Sequence, residues 1–114
     1  MLIGYASKKL QKICTEDKAA RKTLAENSAK RIFRALEDLA AFNHLAEIPH
    51  RAPPLDFHPL REDRSGEFAI KIHKLDRICF CPAGEFSTDE NGMVDLTTVT
   101  EIEITFVGNY HDYG

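Results

Sequence analysis

The apolar residues of this chain change their spacing once, and the change divides it into two kinds of structure. Behind Asn27 and Ser28, either of which can cap a helix, Ile32, Phe33, Leu36, Leu39 and Ala40 recur at steps of three and four. Lys30, Arg31, Arg34, Glu37 and Asp38 take the other side, which makes this an amphipathic helix made to pack on something flat. Further on the step is two. Phe68, Ile70 and Ile72 alternate with Glu67, Ala69 and Lys71, and Ile78 and Phe80 alternate with Arg77, Cys79 and Cys81. These are two half-buried strands, and the short break from His73 to Asp76 suits a hairpin. Between the two regimes, residues 43–56 show no period. Pro49, Pro53 and Pro54 remove backbone donors and restrict their predecessors, so the stretch is a connector.

The remaining elements follow from the same rules. Leu2, Ile3 and Tyr5 form a short strand, and Ser7 caps a helix with Leu10, Ile13 and Cys14 on its apolar stripe. Residues 15–25 are polar around one anchor, Leu24, which predicts a shorter or irregular helix. Pro82, Gly84 and Asn91-Gly92 mark residues 82–98 as a long loop, after which Ile102, Ile104 and Phe106 form a last half-buried strand. The expected architecture is α+β: two or three N-terminal helices on one face of a small, mostly antiparallel sheet of four or five strands, as one domain over residues 1–114. The other sheet face is then open, with Arg77, Cys79 and Cys81 turned towards it.

A chain of 114 residues can bury roughly 65% of its unfolded surface, enough for one core. No apolar run approaches the ~20 residues needed to span a bilayer, and the opening MLIGYASKKLQK lacks the apolar stretch of a signal peptide. A cytoplasmic protein with no membrane partner is expected. The three cysteines, Cys14, Cys79 and Cys81, are then reduced thiols. Net charge is −3, but residues 1–80 hold all 15 Lys and Arg against 11 acids, while residues 81–114 hold 7 acids and no Lys or Arg. This asymmetry permits a basic face for RNA beside an acidic segment, though a like-charge run is also an ordinary solvated surface.

Two clusters carry chemistry. In FHPLREDRSG, residues 57–66, His58, Arg61 and Arg64 crowd into a turn; Asn109, Tyr110 and His111 follow the last strand. A metal-free ribonuclease needs a base for the ribose 2′-OH, an acid for the leaving 5′-oxygen and cations for the phosphorane charge. His58 and His111 suit the first two roles, and Arg77, Arg61 and Arg64 suit the third through forked contacts to phosphate. Tyr110 suits stacking on a base or donating a hydrogen bond. The ordinary readings are a surface terminus and a solvated turn, and composition alone leaves function open. Cys79-x-Cys81 lacks the paired spacing of a zinc site and reads as half-buried strand thiols, so no metal and no cofactor is expected. His44, His50 and His73 read as surface or edge residues.

The order FHPLREDRSG, FAIKI, DRICF and a C-terminal NYH resembles the HigB branch of the RelE superfamily, the plasmid maintenance killer proteins. That branch runs "HPL-basic-x-D-R-x-G", an alternating strand, "W/Y-R-I-x-F" and a terminal "D-Y-H". YASKKLQK at the start and NGMVDLTTVTEIEI near the end are similar to a longer variant of it. The resemblance implies the RelE fold and a toxin of a type II toxin–antitoxin pair that cleaves mRNA on the ribosome without metal. It also implies a helix-turn-helix antitoxin as partner. By position, His58 matches the family's catalytic histidine, Arg61 its basic residue, Arg77 its strand arginine, and Tyr110 with His111 its terminal pair. The chain departs from the pattern in three places. Asn109 replaces an aspartate, Asp76 replaces an aromatic where it can pair with Arg77, and Asp112-Tyr113 offers a shifted register for the terminal pair. The alternative is a non-catalytic module of the same fold, either a gyrase inhibitor or a degenerate toxin. Gyrase inhibitors of this fold generally lack both the HPL and the terminal YH residues.

Overall fold

The computed structural model describes residues 1–109. Strand β1 (Leu2–Tyr5) leads into helices α1 (Lys8–Thr15), α2 (Asp17–Thr23) and α3 (Glu26–Ala41). Then come β2 (His58–Pro59), β3 (Phe68–His73), β4 (Asp76–Pro82) and β5 (Glu101–Gly108), with single 3-10 turns at Leu45–Glu47, Glu62–Arg64 and Leu96–Thr98. The five strands form one sheet in the order β1-β5-β4-β3-β2. The β1–β5 pair is parallel and the other pairs are antiparallel. This is the expected α+β class, and the arrangement is consistent with a small RelE-like fold. Among the described residues no helix is long and apolar enough to cross a membrane.

Local chemistry accounts for the helices, with one exception. Ser7 caps α1 as expected, accepting the Leu10 N–H on its hydroxyl at 3.2 Å. Helix α3 begins one residue before Asn27, behind Ala25, and no side chain caps it. Ser28, expected as a cap, is buried on the inner face of the helix and donates to the Asp76 carboxylate of β4. A buried hydroxyl needs a partner, and the neighbouring strand supplies one.

Helix α3 lies against β3 and α1 against β5, and the core fills the space between helices and sheet. Ile32 and Leu39 meet Ile70, Ile78, Phe80, Ile102 and Ile104, all fully enclosed. The rings of Phe57, Phe68 and Phe80 stack with centroids 5.4 to 6.2 Å apart, tying the end of the connector to the middle of the sheet.

Two expectations about the sheet are corrected. In β5, Ile104 pairs with Phe80 and Phe106 with Cys79, so Thr105 is an extra residue in a bulge. The bulge shifts the alternation by one. Val107 takes the core position expected of Phe106, and Phe106 turns to the opposite face. That face is also not bare. The β2–β3 connection brings Leu60 over it, where Leu60, Ala69 and Cys79 are buried as a second small cluster with Phe106 packed against it.

Candidate functional site: the second face of the sheet

Cross-strand register decides which side chains share this face, because directly opposed residues of an antiparallel pair point the same way. His58 opposes Ala69, Ala69 opposes Cys79 and Cys79 opposes Phe106, forming one row across β2, β3, β4 and β5. The next row is Lys71, Arg77 and Gly108. His58 and Arg77 therefore share the face, two strands apart. Strand spacing and rise put them about 10 Å apart across the sheet and about 7 Å along it, a gap that two long side chains and a phosphodiester can fill.

His58 is half-buried, and its Nδ1 lies 2.7 Å from the Asp56 carbonyl oxygen. A carbonyl only accepts, so Nδ1 carries a proton, and in the neutral ring Nε2 then presents the basic lone pair. Asp56 has a left-handed backbone at φ 48°, as do Glu62 at 57° and Lys74 at 51° in the turns bordering the face. Non-glycine residues in this region are sparse, and the surrounding fold has to hold them there.

The arginines divide. Arg77 Nη1 donates to the carbonyls of Lys74 and Asp76 at 2.5 and 3.1 Å, which fixes the guanidinium plane and leaves Nε and Nη2 for other acceptors. The anticipated Arg77–Asp76 carboxylate pair does not form. Neighbours on a strand face opposite ways, so the Asp76 carboxylate lies on the helix side with Ser28. Arg64, expected as a phosphate ligand, is engaged within the protein. Its Nη1 lies 3.0 and 3.3 Å from the two Glu67 carboxylate oxygens, and its guanidinium carbon is 4.8 Å from the centre of the Phe106 ring. The Thr105 hydroxyl donates to the same carboxylate. Arg61 is exposed at the start of the 3-10 turn and makes no ion pair among the described residues. Asn109 is half-buried directly after Gly108, the residue opposite Arg77, which places it beside the arginine row. Tyr110, His111 and the alternative pair Asp112-Tyr113 lie outside the described residues.

Sequence reasoning missed Glu67, Thr105 and Phe106. The signal was in β5: Ile102, Ile104 and Val107 step by two and then by three, which is the mark of a bulge.

The cysteines carry no nucleophile at neutral pH. Burial pushes the Cys79 thiol up to about 12, Glu67 pushes the same way, and Arg64 and Arg77 offset this in part. Burial likewise pushes Cys14 up to about 12, and burial followed by Glu103 and Glu67 raises Cys81. Cys81 is half-buried, whereas Cys14 and Cys79 are buried. At mildly alkaline pH an alkylating reagent should modify Cys81 first, with Cys14 and Cys79 reacting only after unfolding, as read by intact-mass and peptide analysis. A raised folded pKa on an acid means that the unfolded chain ionises first. Stability should therefore begin to fall as pH rises through 9.0, the ordinary thiol value.

No protein-family model matches this chain, and no curated protein matches it in sequence.

Proposed function

We propose that this protein is the toxin of a type II toxin–antitoxin pair, a cytoplasmic endoribonuclease that cuts mRNA on the ribosome without metal. The observation that carries the reading is His58, held as the Nδ1–H tautomer with Nε2 open, on the same sheet face as an Arg77 whose fork is aligned but not consumed. The family resemblance of HPL, DRICF and NYH supports it.

In this reading His58 Nε2 takes the proton of the ribose 2′-OH as that oxygen attacks phosphorus. Arg77 stabilises the added charge on the phosphorane oxygens. The P–O5′ bond breaks as the 5′-oxygen takes a proton from His111, while Tyr110 stacks on a base or donates a hydrogen bond. The products are a 2′,3′-cyclic phosphate and a 5′-hydroxyl. Arg61 and Asn109 contact the RNA at the margin, and Arg64 shapes the floor through Phe106. The ribosome supplies alignment, worth about 7–11 kcal/mol when reacting groups are held in line. A helix-turn-helix antitoxin covers this face and keeps nucleic acid from it.

Purified protein should cut mRNA in ribosomes with an empty A site and leave the same RNA nearly intact when it is free in solution. A single 2′-deoxy substitution at the cut position should abolish cleavage there, because it removes the nucleophile. Cutting that persists at the deoxy position, or that is equally fast on naked RNA, would overturn the proposal. One observation favours the non-catalytic module instead: Arg64 is tied to Glu67 and so is not available to phosphate. Growth arrest without cleavage, accompanied by inhibition of DNA gyrase, would establish that reading.

A further inference from the structure

We propose that the tip of the β3–β4 hairpin is a second anion site, one that seats the phosphate backbone of RNA beyond the segment held at His58 and Arg77; it rests on the ribonuclease reading. Lys71 and Arg77 face each other directly across β3 and β4. Like charges directly opposite each other destabilise a sheet unless an anion lies between them. Lys74 stands exposed in the turn, and Arg31 reaches across from α3 to put Nη1 3.0 Å from His73 Nδ1. Four cations thus gather around the end of the hairpin, Lys71 and Arg77 on the face away from the helices and Arg31 on the helix side beside His73, the residue opposite Asp76. Asp76 is the acid among them, and its carboxylate is turned inward to Ser28. Among the described residues no carboxylate forms an ion pair with Arg31, Lys71, Lys74 or Arg77.

His73 sits inside this group and registers its field. Because Arg31 only donates, His73 Nδ1 accepts, and the Nε2–H is buried without a partner among the described residues. Burial first, then Arg31, Lys74 and Lys71, hold its pKa below the ordinary imidazole value against the opposing pull of Asp76. A surface that disfavours one more positive charge favours a polyanion. Arg77 belongs to both the proposed catalytic row and this cluster, so a single strand lying along the sheet face passes from one to the other without a break in positive charge. That continuity favours RNA over an acidic segment of a second copy, for which residues 81–114 would be the source.

The test is fluorescence anisotropy of a labelled single-stranded 2′-O-methyl RNA, which binds but cannot be cut. Binding is followed from about 50 to 200 mM salt, where each phosphate contact on a single strand contributes a log–log slope of about 0.7. The double variant Lys71→Gln/Lys74→Asn removes two exposed charges, and Asn tolerates the left-handed backbone at position 74. It should lower the slope by about 1.4. An unchanged slope in the double variant would overturn the hairpin site. So would salt-sensitive self-association that the double variant abolishes while RNA binding stays as in the parent. Because the probe is not cleaved, a protein that shows the slope change but cuts no mRNA on ribosomes would retain this site and lose the ribonuclease reading.

Discussion

Replacing His58 by alanine should lower single-turnover cleavage of A-site mRNA by ~10²- to 10⁴-fold, the usual worth of one general acid or base. The Asp56 carbonyl fixes the Nδ1–H, so the basic nitrogen cannot be exchanged for the other without breaking a 2.7 Å hydrogen bond. His58→Asn separates the two roles of the ring. It retains a donor for Asp56 but has no base, so it should be about as slow as alanine while melting closer to the parent. Losing the hydrogen bond alone costs about 1 kcal/mol. Arg77→Ala should slow the reaction comparably, and Arg77→Lys should restore only part, because an ammonium cannot place two donors in one plane. Full activity in His58→Ala and His58→Asn would remove His58 from the mechanism.

Phe80→Ala should destabilise the fold by ~3–5 kcal/mol, the range for emptying an aromatic site in a closed core. Phe80 is 0% exposed, with Phe57 and Phe68 stacked on it at 6.2 and 6.1 Å. In a chain of this size such a loss lowers Tm by more than ~10 °C, readable by thermal denaturation. The effect should also reach the site, because Phe57 immediately precedes His58 and loses one of its two stacking partners, keeping Phe68. Phe106→Ala is the control on the other face. Phe106 is half-buried against Leu60, Ala69 and Cys79, so its truncation should cost clearly less. Equal losses at positions 80 and 106 would contradict the bulge at Thr105.

The sequence by itself determined the class of fold. A helical period before a proline-broken connector and a strand period after it leave few arrangements other than helices stacked on a sheet, and the hairpin at His73 to Asp76 follows from chain length alone. It also singled out His58 and Arg77, since period-two alternation from Arg77 to Cys81 already assigns the arginine to the face away from the helices. Tertiary structure decided the rest, because those features depend on residues far apart in the chain. Whether Ser28 caps its own helix or satisfies Asp76, 48 residues away, depends on which partner the packed strand presents. The Thr105 bulge exists because Ile104 and Val107 must both reach a core whose opposite wall is set by β4. Arg64 looks free in the sequence, yet the turn at Glu62–Arg64 returns it to Glu67 and the flipped Phe106. Local pattern states which side chains can be buried or charged, and only the register of five strands states which of them meet.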